Sequence, residues 1–220
     1  MSRTFITATG TGIGKTLVTS ILTRQLRAQG RTVHALKPVI SGFRDETLHE
    51  SDTAELLRAM ERPVTPETIA EVSPWRFEAP LSPDMAAARE GRNIDFFELI
   101  EFSNASRSAD HTLIEGVGGA FVPLGDDRTV ADWIAEMNVP ALLVCGSYLG
   151  TLSHTIATLE ALANRRVTVT GIIISESPES PVPLAETQAT LGRFVETVEI
   201  TCLPRVTEWN EAPDLANLIG

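Results

Sequence analysis

The chain has 220 residues, of which 43% are hydrophobic and 21% are charged, and its formal net charge is −11. These values are ordinary for a globular protein and exclude a disordered or fibrous chain, and the length fits one large domain or two small ones. The negative charge disfavours nucleic acids and anionic membrane surfaces as partners, since both are themselves negatively charged.

The cysteines and the N-terminal residues indicate in which cellular compartment the protein is expected. Cys145 and Cys202 each lie in an apolar, strand-like stretch, and we expect both to be free thiols in a reducing compartment rather than zinc ligands. The first residues run straight into a short strand, unlike a signal peptide, and no window reaches the roughly 18 consecutive apolar residues of a membrane span. We therefore expect a cytoplasmic protein.

Short apolar runs alternate with helical patterns along the chain, which is typical of an α/β protein. In chain order, the first half predicts a strand at 4–9, a helix at 15–29, a strand at 32–39, a helix at 51–60, a proline-rich loop with short helical pieces at 63–83, helices at Pro83–Arg89 and 95–107, and a strand at His111–Glu115. The second half predicts a helix at 129–137, a strand at 140–145, a helical stripe from Leu152 to Ala163, a strand at 170–175, a helix at 183–197, a strand at 198–203 and a terminal helix after Trp209. Ser82 is expected to cap the helix that begins at Pro83.

This alternation predicts a doubly wound, mainly parallel sheet with helices on both faces. Ligands of such sheets bind at the carboxyl ends of the strands. The glycine turns of this chain follow predicted strands, so we expect them to converge on that edge.

A glycine-rich loop follows the first predicted strand. Residues 9–16 read Thr-Gly-Thr-Gly-Ile-Gly-Lys-Thr and precede an amphipathic helix. In such a loop the backbone N–H groups turn onto phosphate oxygens, Lys15 can reach the β- and γ-phosphates, and the Thr16 hydroxyl can bind Mg²⁺. The strict P-loop pattern would need glycine at Thr9, and a plain glycine turn with an exposed lysine is the alternative. A dinucleotide-binding loop is disfavoured because Lys15 stands in place of its third glycine.

Three further charged residues are candidates for the same site. Lys37 lies near the carboxyl end of the strand predicted at 32–39, where a buried lysine needs an anion partner. The alternative is a lysine whose charged end reaches solvent. Glu115 ends the strand His111–Glu115, the place of a second magnesium contact in a nucleotide-binding fold, although it could equally cap a turn. Asp52 lies near the start of the helix predicted at 51–60, and the residues alone favour a role as N-cap.

These motifs together resemble the dethiobiotin synthetase family. The segments that carry the resemblance are residues 9–16, Lys-Pro-Val-Ile-Ser-Gly at 37–42, Ser-Asp at 51–52, Pro-Leu-Ser-Pro at 80–83, Glu-Gly-Val-Gly-Gly at 115–119, Ala-Asp-Trp at 131–133 and Leu-Gly-Thr-Leu-Ser-His at 149–154. The resemblance implies one P-loop domain over residues 1–220 that works as a homodimer in biotin biosynthesis. It implies that 7,8-diaminononanoate (diaminopelargonate) takes up CO₂ as a carbamate, which attacks the γ-phosphate of ATP to form a carbamic–phosphoric anhydride. The second amine then closes the ureido ring of dethiobiotin.

The resemblance also implies roles for individual residues. Thr16, Asp52 and Glu115 correspond to the Mg²⁺ ligands, which changes the interpretation of Asp52 from cap to ligand. Thr11, Lys15 and Lys37 correspond to catalytic residues, with Lys37 holding the carbamate and the transferred phosphoryl group. The residues assigned to ATP are Gly12, Ile13, Gly14, Lys15, Thr16, Ser175 and Pro204. The residues assigned to the diamine are Lys37, Ser41, Gly118, Leu149 and Ser153. Of these, Leu149 and Ser153 would contact the diamine from the other subunit.

The chain departs from the family pattern at several positions. Ala8 replaces the glycine that usually opens the phosphate loop, and Gly10 and Gly12 stand where some members carry acidic residues. Ser153 replaces an asparagine of the 149–154 segment, and Ser175 replaces an asparagine that faces the nucleotide base in many members. The change at Ser153 affects the expected contact with the substrate carboxylate, and the change at Ser175 affects the expected contact with the nucleotide base.

Two other functions share part of this pattern. A P-loop ATPase switch of the partitioning or septum-positioning type has the same fold, but it carries a signature lysine where this chain has Gly10, and the chain shows no basic amphipathic tail. An amidotransferase-type synthase of the corrin pathway also activates its substrate with ATP. It needs a glutamine-hydrolysing domain, for which this chain has no room.

Overall fold

Eight strands and eight α-helices make up the fold in the part of the chain that the structure describes. The computed structural model describes residues 2–105, 108–125, 127–195 and 197–219. The strands are β1 (Ser2–Ala8), β2 (Val33–Leu36), β3 (Val39–Ser41), β4 (Trp75–Phe77), β5 (His111–Glu115), β6 (Ala141–Cys145), β7 (Val169–Ser175) and β8 (Glu199–Leu203). The helices are α1 (Lys15–Ala28), α2 (Asp52–Ala59), α3 (Pro66–Val72), α4 (Pro83–Arg89), α5 (Phe96–Asn104), α6 (Val130–Met137), α7 (Thr151–Asn164) and α8 (Leu184–Leu191). Within the described residues, none of the helices has the length and apolar character needed to cross a membrane.

Six strands form the central sheet, in the order β2-β5-β1-β6-β7-β8. Every strand pair in it is parallel. The strand order runs outward from β1 in both directions, so the crossover helices lie on both faces. The predicted doubly wound parallel sheet is therefore confirmed.

The strand predicted at 32–39 is divided in two at Lys37 and Pro38. β2 stays in the main sheet, whereas β3 pairs with β4 in a separate two-stranded parallel sheet. Pro38 has no N–H group and cannot continue the ladder of β2; its carbonyl instead accepts from the N–H of Trp75 at 3.1 Å. The segment 63–83 contains the predicted helical piece as α3, but the sequence analysis missed β4.

Two helices are shorter than predicted. α5 begins after Asp95, whose carboxylate caps it, and the predicted end at Arg107 lies outside the described residues. α8 stops well before residue 197. Gly192 disfavours continuation of the helix, and the side chain of Gln188 donates to the carbonyl of Ile200 in β8 at 2.6 Å.

The predictions for Ser82 and for the tail are wrong. Ser82 precedes α4, but its side chain makes no capping hydrogen bond.

After residue 208 the chain forms two 3₁₀ turns, Trp209–Glu211 and Ala216–Leu218, instead of an α-helix. The amide of Gln25 donates to the carbonyl of Pro213 and accepts from the N–H of Leu215, both at 2.8 Å. These bonds replace the internal bonds of a helix, and Leu215 is buried in the core.

Both faces of the main sheet are covered by helices. Ile6 of β1 packs in one cluster with Val18 of α1 and Leu56 of α2. Phe5 points to the opposite face and meets Trp133 of α6 edge to face, with ring centroids 4.7 Å apart. All five side chains are fully buried. The core therefore holds β1 rigidly, and with it the loop that follows β1.

The carboxyl ends of the strands bring the predicted site residues to one edge. The phosphate loop follows β1, Lys37 follows β2, Glu115 ends β5 and Ser175 ends β7. Because the strands are parallel, these ends lie on the same side of the sheet.

Candidate active site

The phosphate loop joins β1 to α1 at the carboxyl edge of the sheet. α1 begins at Lys15, and its N-cap is Gly14, which has a φ of 99° and no capping side chain. A Cβ at Gly14 would lie 2.6 Å from Oγ of Ser175, so glycine fits this position and other residues do not. Gly14 has no side chain that could occupy the first N–H groups of the helix, and the helix dipole adds positive potential there. This combination binds phosphate.

A cavity of about 530 Å³ opens beside the loop. The predicted site residues that line it are Thr11, Gly12, Gly14, Lys15, Thr16, Lys37, Ser41, Asp52, Glu115 and Gly118. The lining also contains Ile40, Pro80, Leu81, Ser82, Pro83, Val117 and Val122, which the sequence analysis does not assign to the site. The cavity thus combines charged groups with an apolar wall.

Lys37 is the centre of a buried charge cluster. Its Nζ lies 2.5 Å from Oε1 of Glu115 and 3.0 Å from Oδ2 of Asp52. The hydroxyl of Thr16 donates to the same Glu115 oxygen at 2.7 Å. Lys37 is 4% exposed and Glu115 is 0% exposed, so water screens their attraction only weakly. The alternative in which Lys37 reaches solvent is therefore wrong.

The two lysines of the site have opposite pKa shifts. Burial, and then repulsion by Lys37, lowers the pKa of Lys15 to about 8. Burial acts in the same direction on Lys37, but the carboxylates of Glu115 and Asp52 outweigh it and raise the pKa of Lys37 above its ordinary value. Burial alone would raise the pKa of Asp52, but the charge and hydrogen bond of Lys37 lower it below its ordinary value. The site is therefore charged at neutral pH, and Lys15 needs an anion beside it to stay fully protonated.

The N-cap of α2 is Ser51 and not Asp52. Oγ of Ser51 accepts from the N–H of Ala54 at 3.2 Å. Asp52 lies in the first turn with its carboxylate on Lys37. The interpretation of Asp52 as a cap is therefore wrong, and its carboxylate lines the cavity.

The oxygen atoms of Thr16, Asp52 and Glu115 fit a hard divalent cation. Oε2 of Glu115 is buried and has no hydrogen-bond partner among the described residues, and a carboxylate oxygen in that state is suited to bind a cation. No group of three or more His, Cys, Asp and Glu side chains that could hold a metal occurs in the described ranges. The protein would therefore supply two carboxylates and a hydroxyl, and phosphate oxygens and water would complete an octahedral set.

The loop after β5 packs directly against the phosphate loop. Gly118 has a φ of 60°, and a Cβ there would lie 2.5 Å from Val122 and 3.4 Å from Oγ1 of Thr11. A Cβ at Gly119 would lie 3.2 Å from both N and Cα of Gly10. The two glycine-rich loops therefore touch through their backbones, which places Gly118 and Thr11 on the same cavity.

A second cavity, of about 240 Å³, shares Gly12 and Gly14 with the first. Ile13, Ser175 and Pro204 also line it. The predicted base contacts thus lie next to the predicted phosphate contacts, as the covalent structure of a nucleotide requires.

Leu149 and Ser153 are not among the residues that line these two cavities. Leu149 is 89% exposed in the turn before α7, and Ser153 is exposed in the first turn of that helix. The hydroxyl of Tyr148 forms a hydrogen bond of 2.9 Å with Nδ1 of His154 beside them. The structure therefore does not bring these two predicted diamine contacts to either cavity.

Ser41 and Ser82 bring two unpaired hydroxyl groups to the main cavity. Both Oγ atoms are buried without a hydrogen-bond partner in the described part of the chain. Sequence analysis assigns Ser41 to the site but treats Ser82 only as a helix cap. The signal for Ser82 was its position in the 80–83 segment, one of those that carry the family resemblance.

Comparison with known proteins identifies the family. The AAA domain family matches residues 2–212. The chain is 44% identical over 212 residues to the ATP-dependent dethiobiotin synthetase of Methylobacterium nodulans, covering 93% of this chain and 94% of that one. It is 46% identical over 198 residues to the protein of the same name from Acidiphilium cryptum, covering 89% of each. The chain belongs to the dethiobiotin synthetase family. As a member of this family, it is an ATP-dependent ligase.

Solved structures of low sequence identity share the fold of this dethiobiotin synthetase family member. A chain of the MinC:MinD cell division protein complex of Aquifex aeolicus superposes with a TM-score of 0.55 at 14% identity, covering 99% of this chain and 84% of that chain. A ParA family ATPase from Chlorobium tepidum has the same TM-score at 13% identity, covering 94% and 86%. These similarities confirm the P-loop NTPase-like fold. They do not favour the ATPase switch, because the relatives at 44–46% identity are synthetases.

Proposed function

We propose that this protein closes the ureido ring of dethiobiotin from 7,8-diaminononanoate, CO₂ and ATP, as a step of biotin biosynthesis. The observation that carries the proposal is the buried cluster of Lys37, Glu115, Asp52 and Thr16 beside the phosphate loop, in a cavity that also has an apolar wall. The family membership of the chain supports the same reaction. The whole chain, residues 1–220, would act as one synthetase domain.

The reaction consists of three bond-forming steps. One amine of the diamine attacks CO₂ and loses a proton, which forms a carbamate. A carbamate oxygen attacks the γ-phosphorus of ATP, and the bond to ADP breaks, which forms a carbamic–phosphoric anhydride. The second amine then attacks the carbamoyl carbon and loses a proton, phosphate leaves, and the five-membered ring closes. Negative charge accumulates on the transferred phosphoryl group, so catalysis needs positioning and positive charge more than a covalent intermediate on the protein.

Lys15 and Lys37 supply that positive charge. Nζ of Lys15 donates to the carbonyl of Gly10 at 3.3 Å, so its ammonium group already lies within the phosphate loop. The nucleotide phosphates would raise its lowered pKa again, because they add negative charge beside it. Lys37 lies at the junction of the phosphate loop and the cavity, where it would bind the carbamate and the transferred phosphoryl group. Thr11 would contact the phosphates from the loop.

Thr16, Asp52 and Glu115 would hold Mg²⁺. A bound Mg²⁺ supplies positive charge to the β- and γ-phosphates of ATP. The carboxylates of Asp52 and Glu115 already lie side by side, because both contact Nζ of Lys37.

The diamine would bind between polar and apolar parts of the main cavity. The unpaired hydroxyls of Ser41 and Ser82 can hydrogen-bond to its amines or carbamate. The backbone at Gly118 would border it, and Ile40 and Val122 would contact its hydrocarbon chain.

A second copy of the chain would complete the site. Leu149 and Ser153 are exposed outside the cavity, so they would reach the carboxylate of the diamine from the partner of a homodimer. ATP would be held in the second cavity by Ser175, Pro204 and the phosphate loop. The free cysteines, Cys145 and Cys202, are consistent with a reducing compartment such as the cytoplasm.

One assay separates this function from the ATPase switch. ATP turnover is measured with the diamine and bicarbonate, and with each of them omitted, while dethiobiotin is quantified by mass spectrometry. We expect ADP and dethiobiotin in equal amounts, and only background hydrolysis when either substrate is omitted. Hydrolysis that is independent of the diamine, with no dethiobiotin formed, contradicts the proposal.

A further inference from the structure

Three buried residues form a directed chain of hydrogen bonds behind the candidate site. Oγ of Ser73 donates to the carbonyl of Lys37 at 2.6 Å, and Oγ1 of Thr53 lies 2.6 Å from Oγ of Ser73. A serine hydroxyl has one proton, and the proton of Ser73 goes to Lys37, so Thr53 is the donor to Ser73. Thr53 and Ser73 are both 0% exposed. Water therefore does not compete for these bonds.

These hydrogen bonds join the two parts of the fold that carry Lys37 and Asp52. Thr53 directly follows Asp52 in the first turn of α2, and Ser73 follows the last residue of α3. Lys37 is the residue at which the chain leaves the main sheet, and its N–H donates to the carbonyl of Val72 at 3.3 Å. The end of α3 therefore holds both backbone polar groups of Lys37.

The side chains of Lys37 and Asp52 form an ion pair. Bound ligands can break this pair when each side chain forms a contact with a ligand instead. In the proposed reaction the carboxylate of Asp52 gains a cation as partner, and Nζ of Lys37 turns to the anionic substrate. The bonds from Thr53 to Ser73 and from Ser73 to the Lys37 carbonyl involve no charged group, and neither Thr53 nor Ser73 lines the cavity, so this exchange leaves them intact.

We propose that Thr53 and Ser73 are positioning residues, which hold the backbone of Lys37 at a fixed separation from the first turn of α2 while the ion pair of Lys37 with Asp52 is exchanged for substrate contacts. The inference rests on the proposed roles of Lys37 and Asp52. Without the hydroxyl bonds, no hydrogen bond through Ser73 would hold the backbone of Lys37 to the first turn of α2 once the ion pair has opened. A displacement of about 1 Å at a reacting group can lower turnover by about 10²-fold.

Four variants of the full chain separate positioning from a purely structural role. Ser73→Ala removes the bond to Lys37. Thr53→Val keeps the side-chain shape and removes the donor, whereas Thr53→Ser keeps the donor. Ser103→Ala is the matched control, because Ser103 is also 0% exposed and donates to a backbone carbonyl, that of Leu99 at 2.7 Å, within α5.

The measurements are kcat, KM for ATP and the diamine, and the melting temperature of each variant. We expect Ser73→Ala to lower kcat about 10- to 100-fold with little change in KM for ATP. Thr53→Val should lower kcat in the same direction, and Thr53→Ser should restore it. Ser103→Ala should leave kcat unchanged. In crystal structures with an ATP analogue, Mg²⁺ and the diamine bound, the separation between the backbone of Lys37 and the first turn of α2 should differ between Ser73→Ala and the unchanged chain.

Unchanged kcat in a folded Ser73→Ala protein would overturn the proposal. A lowered kcat with the same backbone separation in both ligand-bound structures would also overturn it, as would equal losses in Thr53→Val and Thr53→Ser. If Ser73→Ala does not fold, the comparison of the two Thr53 variants decides. Normal turnover in Lys37→Met refutes the role of Lys37 itself, whereas an inactive Lys37→Met beside a fully active Ser73→Ala refutes only the positioning role.

Discussion

Replacement of Lys37 by methionine removes the charge at the centre of the site and keeps a side chain of similar length. Electrostatic contacts that are preorganised for a transition state contribute about 10²- to 10³-fold to turnover, and we expect kcat for dethiobiotin formation to fall by that factor. The reason is that Nζ of Lys37 is held 2.5 Å from Glu115 and 3.0 Å from Asp52, at the place where the transferred phosphoryl group would develop charge. The measurement is release of ADP coupled to quantification of dethiobiotin.

The same variant also has a cost in stability that the structure allows us to work out. Glu115 is fully buried, and removal of one partner from a buried ion pair costs about 3–5 kcal/mol. Oε1 of Glu115 keeps its hydrogen bond from Thr16, so we expect the lower end, about 3 kcal/mol. At about 2–4 °C per kcal/mol for a chain of this size, the melting temperature should fall by about 6–12 °C.

Two controls separate the charge effect from damage to the fold. The double variant Lys37→Met/Glu115→Gln should recover most of the melting temperature, because a neutral amide is less costly to bury than an unpaired carboxylate. Arg24→Met breaks a partly exposed ion pair with Glu55, so it should cost at most about 1 kcal/mol and leave turnover intact. Near-normal turnover in a folded Lys37→Met protein would refute the reasoning.

Four further predictions concern the metal, the assembly, the base and a thiol. Asp52→Asn should raise the Mg²⁺ concentration needed for half-maximal activity, whereas Ser51→Ala, which removes the cap, should lower only the melting temperature, by about 1 kcal/mol of stability; the same metal response in both variants contradicts a ligand role. Light scattering should show a dimer that Leu149→Asp dissociates with loss of activity, and a fully active monomer refutes the shared site. Ser175→Asn should raise the preference for ATP over CTP and GTP in kcat/KM by about 1–3 kcal/mol, since an asparagine offers both a donor and an acceptor to adenine; strict ATP selectivity in both forms shows that the base is recognised elsewhere. Burial raises the pKa of Cys145 to about 11, so only about one thiol in a thousand is ionised at pH 8; iodoacetamide should modify Cys145 only after unfolding or as the pH approaches 11, and rapid reaction at pH 8 contradicts its burial.

Site residues that follow long apolar strands were predictable from the sequence. Glu115 ends a run of five strand residues, and the phosphate loop follows another such run, so the carboxyl edge of the sheet could be inferred from local pattern alone. The pairing of β3 with β4 could not, because each strand has three residues and Val39 pairs with Trp75, far away along the chain. A pattern of three residues is too short to separate a strand from a loop.

The role of Asp52 shows a second limit of local pattern. Ser51 and Asp52 are both good N-cap residues, and nothing in their order decides which of them caps α2. The position of Lys37 decides it, because the ammonium group attracts the Asp52 carboxylate and leaves the cap to Ser51. For the tail, the deciding group is the side chain of Gln25, whose hydrogen bonds hold the segment that was predicted as a helix.

The backbone contact between Gly10 and Gly119 limits how this enzyme can be redesigned. A methyl group at Gly119 would press on main-chain atoms at 3.2 Å, and main chain cannot rotate aside as a flexible side chain does. An alanine there would displace the phosphate loop. A substitution made to change diamine binding would therefore also change ATP binding. Libraries that aim at longer or bulkier diamines should therefore vary Ile40, Val117 and Val122, whose side chains line the cavity, and leave both glycines in place.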